Sequence, residues 1–179
     1  MNYFLDTEFS HLPWEDQVQL ISIGIVDENG KSYYACLDNF DQNNVSTFVW
    51  ENVIQFLPRK SKRKSCKQVK QELVDFFGEN IPSNFWCVFP TKKQLESFSI
   101  NKKDINSVLK KFGDFDFQLM KKIFGNDYPE HWPKKGSNLT PLYSALSKNN
   151  IPTNNKEHDA LADALWNKKI WETAMINSR

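Results

Sequence analysis

Two acids one residue apart, Asp6 and Glu8, close the short apolar run of YFLDTEFS at the start of the chain. At positions i and i+2 of a strand their side chains leave the same face. Two carboxylates on one face repel each other unless positive charge lies between them. A divalent cation such as magnesium, which selects oxygen ligands, resolves that conflict. Standing alone, the pair more often just solvates a strand end.

Other residues later in the chain have types that could join this pair. Asp116 opens DFQLMKKIF, where helical spacing places Leu119, Met120 and Ile123 on its own face. An acid on a buried face needs a partner, although an Asp at a helix start is also an ordinary N-cap, and Asp114 competes for the same role. The segment EHDALADALWNKKIW carries His158 and, five residues on, Asp163. Asp163 shares a helix side with Trp166 and Ile170 rather than with Lys168 and Lys169. His158 precedes the helix and, taken alone, is an ordinary surface histidine. Each signal is weak, but an acid pair on strand one, an inward acid in mid-chain and a late His with its acid form an ordered set that chance rarely produces.

Several elements must position these residues. Asn2 to Asp6 and Val18 to Val26 read as strands, and DENGK joins the second to SYYACL through Asn-Gly, a strong hairpin signal. Three antiparallel strands are therefore expected first. Val45 to Leu57 and Gln68 to Phe77 have helical spacing, with Pro58 stopping the former. Phe85 to Phe89 reads as a buried strand. Pro90 to Phe112 has no sustained period and is read as a partly helical insertion. Helices follow at about Asp116 to Phe124, Leu142 to Lys148 and Asp159 to Thr173. The order predicts an α/β fold, a mixed sheet with its first three strands antiparallel, flanked by helices.

The 179 residues are expected to form a single domain spanning 1–179, with the insertion at about 90–112. The charge balance, 23 basic against 22 acidic residues, excludes a general attraction to polyanions, so nucleic-acid affinity must come from a local patch. Cys36, Cys66 and Cys87 are odd in number and lack C-x-x-C spacing, which argues for reduced thiols and a cytoplasmic location. No window approaches the roughly 18 apolar residues of a membrane span, so no membrane partner is expected.

LDTEF, the Asp116 helix and HDALADA resemble the three exonuclease motifs of the DEDDh superfamily, whose fold is ribonuclease-H-like. The chain is most similar in motif to the bacterial 3′-to-5′ exoribonuclease family typified by a mycobacterial ribonuclease-T-related protein. YFLDTEF, LISIGIV, YYA, DFQLMKKIFG and HDALADA all have counterparts there. In that family the strand matching FWCVF runs almost directly into the second-motif acid, whereas Pro90 to Phe112 intervenes here. Asp116 is preferred over Asp114 because its distance to IFG matches the family and its helical face is the buried one.

That resemblance implies a two-metal-dependent exoribonuclease releasing nucleoside monophosphates from single-stranded RNA or 3′ overhangs. Asp6, Glu8 and Asp163 would hold one Mg2+ or Mn2+, Asp6 would bridge to a second, and Asp116 would support the second through water. Two such ions lie about 4 Å apart and serve both ends of an in-line displacement. His158 would be the general base, a role suited to a side chain that titrates near neutrality. The implied partner is single-stranded nucleic acid, RNA preferred, and a homodimer is admitted as an assembly.

Phe9, His11 and Trp14 follow the acid pair and could stack on terminal bases, although Phe9 and Trp14 serve equally well in packing. Arg59 to Lys70 holds seven basic residues and no acid. Within it Arg59, Lys60, Arg63 and Lys64 are candidates for holding the phosphate backbone, against the alternative of a solvated loop. Two rivals remain: a DNA-directed exonuclease, distinguished only by contacts to the 2′-hydroxyl, and a binding module of the same fold without turnover. A zinc hydrolase is disfavoured, since His11, His131 and His158 are the only histidines and none form H-x-x-x-H.

Overall fold

The computed structural model describes residues 1–177. Strands β1 (Asn2–Phe9), β2 (Leu20–Asp27) and β3 (Ser32–Cys36) form an antiparallel meander. Gly30, at the Asn-Gly turn between β2 and β3, takes a positive φ of 93° that a side chain would strain. Two later strands, β4 (Asn84–Cys87) and β5 (Ser137–Asn138), extend the sheet on the other side of β1, parallel to it. The order β3-β2-β1-β4-β5 is the expected mixed sheet with its first three strands antiparallel.

Alternation along β1 divides the core. Tyr3 and Leu5 enter a large cluster with Val69, Leu73 and Phe77 of α2 (Cys66–Phe77) and with Phe117 and Met120 of α5 (Phe115–Phe124). Phe4, on the opposite face, meets Trp171 of α7 (Ala160–Asn177), their rings 5.6 Å apart. Asp6 and Glu8 share the parity of Phe4, so they lie on the α7 face.

The expected helix from Val45 to Leu57 is shorter. It forms α1 (Thr47–Asn52) and a separate 3-10 turn, Ile54–Phe56, with Val53 in a non-helical conformation between them. Val49, Val53 and Ile54 pack with Ile21, Cys36 and Phe40 as a second cluster. The insertion contains two helices, α3 (Lys92–Ser97), started by a Thr91–Gln94 capping box, and α4 (Ile105–Phe112). Their brevity explains the missing period: Leu95 and Ile105 are buried, but neither helix repeats its apolar face for long. Helix α6 (Thr140–Ala145) begins and ends earlier than expected, with Pro141 in its first turn. Helix α7 runs further than the expected end at Thr173. The three cysteines are unbridged. Among the described residues no helix is long and apolar enough to cross a membrane.

Candidate active site

Asp6 and Glu8 project from the C-terminal half of β1 beneath the start of α7. That helix approaches closely only because β2 offers Gly24, the residue paired with Asp6. A Cβ on Gly24 would lie 2.1 Å from the Ala160 carbonyl oxygen and 2.5 Å from Leu161 Cα. The contact brings Asp163, in the first turn of α7, to the strand acids. Carboxylate oxygens of Asp6, Glu8 and Asp163 all lie within 4.8 Å of one another.

Asp116 arrives from the other side of the sheet, in the first turn of α5. Its Oδ1 accepts from the Thr7 N–H at 3.2 Å and from the Thr7 hydroxyl at 2.6 Å. Asp114 is engaged elsewhere: its carboxylate accepts from Gln118 Nε2 at 2.7 Å and from the Gly136 N–H at 3.0 Å, tying down the approach to β5.

Burial and crowding shape the charge of this group. Desolvation, then the neighbouring carboxylates, hold Asp6 well above the usual carboxylate range and push Glu8 up to about 8. Asp116 is pushed up to about 6 by burial, although the Thr7 hydrogen bonds pull the other way. Asp163 is raised by burial, opposed by hydrogen bonds from the Asn154 amide and the His158 N–H. Among the described residues no lysine or arginine forms an ion pair with any of the four. An all-oxygen donor set with excess negative charge and no basic partner fits a hard divalent cation.

His158 sits just before α7 with a positive φ of 66°. Its N–H donates to Asp163 Oδ2 at 2.9 Å, and its ring meets Phe48 edge-on with centroids 4.9 Å apart. The preceding loop is laced to the helix, since the Asn154 amide donates to Asp163 Oδ1 and Trp166 Nε1 donates to the Pro152 carbonyl at 2.7 Å. Asp159 caps α7 by accepting from the Leu161 and Ala162 N–H groups.

Other expected contacts are dispersed. Phe9 packs edge-on against Phe115, centroids 5.2 Å apart, and Phe115 against Phe112 at the end of the insertion. His11 Nδ1 lies 3.0 Å from Ser10 Oγ, and Trp14 meets Phe98 of the insertion. Arg59 and Lys60 are exposed. Arg63 donates to the Pro58 carbonyl and lies over the Phe40 ring, while Lys64 pairs with Glu72 at 2.6 Å. Sequence reasoning did not single out Thr7, Gly24, Asn154 or Asp159. Asp159 alone carried a readable signal, an Asp directly before an apolar helical run.

A profile of the family described as the 3′-5′ exoribonuclease Rv2179c-like domain matches residues 1–175. The 3′-5′ exoribonuclease Rv2179c of Mycobacterium tuberculosis (strain ATCC 25618 / H37Rv) is 38% identical over 80 residues, covering 42% of this chain and 45% of that protein. The 3′-5′ exoribonuclease MT2234.1 of strain CDC 1551 / Oshkosh gives the same figures. The alignment therefore spans less than half the length of these relatives. Among solved structures, cell-death related nuclease 4 (CRN-4) is 17% identical with a TM-score of 0.49, covering 99% of this chain and 64% of that one. A full-length 3′-exonuclease is 13% identical with a TM-score of 0.49, covering 99% and 81%.

Proposed function

Because the chain belongs to the Rv2179c-like 3′-5′ exoribonuclease domain family, we propose that it is a two-metal-dependent 3′-5′ exoribonuclease. It removes nucleoside monophosphates from single-stranded RNA or 3′ overhangs. The observation that carries this reading is the convergence of Asp6, Glu8 and Asp163 within 4.8 Å, with no lysine or arginine among the described residues in an ion pair with them.

In this reading Asp6, Glu8, Asp163 and Asp116 are the residues that would hold the two Mg2+ or Mn2+ ions, with Asp6, Glu8 and Asp163 gathered at one of them and Asp116 serving the second. Divalent cations supply Lewis acidity and charge neutralisation to phosphodiester hydrolysis. His158 accepts the proton of the attacking water on an imidazole nitrogen, its backbone being anchored to Asp163. The strand is held by Phe9 and His11 beside the acids and by exposed Arg59 and Lys60. Arg63 adds charge from its seat over Phe40, and Lys64, neutralised by Glu72, contributes least.

The test is degradation of 3′-labelled and 5′-labelled single-stranded RNA and DNA in magnesium, manganese or EDTA, by wild type and Asp6→Ala. Metal-dependent shortening of RNA from the 3′ end, lost in the variant, is the expected outcome. Equal loss of DNA would redirect the reading to a DNA exonuclease. Every substrate intact in both metals would leave a binding module.

A further inference from the structure

Thr7 lies between the two strand acids, but its side chain leaves β1 on the opposite face, where it is 4% exposed. Pairing of β1 with β4 ends at Phe4 and Trp86. Past that point the β4-side edge of β1 presents peptide groups that the sheet does not satisfy. Leu5 and Thr7, of one parity, direct theirs to that side. The Leu5 carbonyl accepts from the buried Asn167 amide at 3.0 Å, and the Thr7 N–H donates to Asp116.

Thr7 then donates a second time, through its hydroxyl, to the same Oδ1. A carboxylate oxygen has two acceptor sites, and one residue fills both. Asp116 therefore cannot rotate without breaking two hydrogen bonds, and Oδ2 is the oxygen it can turn toward the acid cluster. The bonds join residues 109 apart in sequence, coupling a strand to the helix on its far face.

We infer that Thr7 is a positioning residue for the second cation: its hydroxyl and amide orient the Asp116 carboxylate that serves that ion. The inference rests on the two-metal reading above. Hydrogen-bond partners that orient ligands commonly change metal affinity by about 10- to 100-fold when removed.

Thr7→Val keeps the shape and the amide while removing the hydroxyl, and Thr7→Ser keeps the hydroxyl. Calorimetric titration with Mn2+ is paired with RNA degradation kinetics. Thr7→Val should weaken the second ion by about 10- to 100-fold, leave the first unchanged, and lower kcat with KM for RNA unaltered. Thr7→Ser should restore most of the loss. A Thr7→Val protein that binds both ions and turns over as wild type does overturns the inference and leaves the nuclease reading standing. Equal impairment of Val and Ser variants also overturns it, because the methyl group would then be what matters. A wild-type chain that takes up no divalent ion removes the two-metal reading and this inference together.

Discussion

His158 is held by its own backbone, in a left-handed conformation and bonded to Asp163, while its ring meets the exposed Phe48 edge-on. The acid group gathered within 4.8 Å among the described residues does not include His158. His158→Asn should lower kcat about 10²- to 10⁴-fold, the usual contribution of a general base, while calorimetric Mn2+ affinity stays at the wild-type level. Wild-type turnover in that variant would remove His158 from the chemistry. At this scale the sequence was informative about Asp6 and Glu8, whose shared face follows from the two-residue period of any strand. It ranked Asp116 over Asp114 by helical face and by spacing to IFG, but not by what engages each, since both stand at the start of α5. Their partners, Thr7 for one and Gly136 for the other, come from distant segments.

Helix α7 depends on the absence of one side chain beneath it. Gly24→Ala places a Cβ against backbone atoms of Ala160 and Leu161, which have no flexible end to swing aside. The start of α7 must lift from the sheet, carrying Asp163 away from Asp6 and Glu8. Overpacking of this kind costs about 1–3 kcal/mol or more, so the urea midpoint should fall and Mn2+ affinity with it. Unchanged affinity in a folded Gly24→Ala protein would mean that the acids do not need this close approach. Helix existence was legible in apolar spacing, as for α2, α5 and α7. Helix ends were less so: the break at Val53 follows packing against Ile21 and Phe40 that no local pattern announces.

For the molecule as a whole, the crowded acids make stability depend on pH and metal together. Glu8 moves from its ordinary 4.5 to about 8, and Asp116 from 3.8 to about 6. Between those values the folded chain keeps protons that the unfolded chain has released, so unfolding becomes easier as pH rises. In EDTA, Tm should therefore decline from pH 5 to pH 8. Magnesium should raise it, more at pH 8 than at pH 5, because a bound cation stabilises the deprotonated site. Glu8→Gln should flatten the decline in EDTA. A metal-free Tm that climbs steadily across this range would contradict the crowding described here.

The sequence by itself determined the candidate acids, their order along the chain, the antiparallel opening of the sheet and the helices with sustained apolar faces. Those follow from periodicities that the backbone imposes locally, whatever lies elsewhere. Only the tertiary structure decided that Asp116 rather than Asp114 turns to Thr7, that Gly24 admits α7, that a two-residue β5 completes the sheet, and that Lys64 is occupied by Glu72. Each of these depends on close contact between residues far apart in sequence, and neither spacing nor composition records which distant atoms will meet.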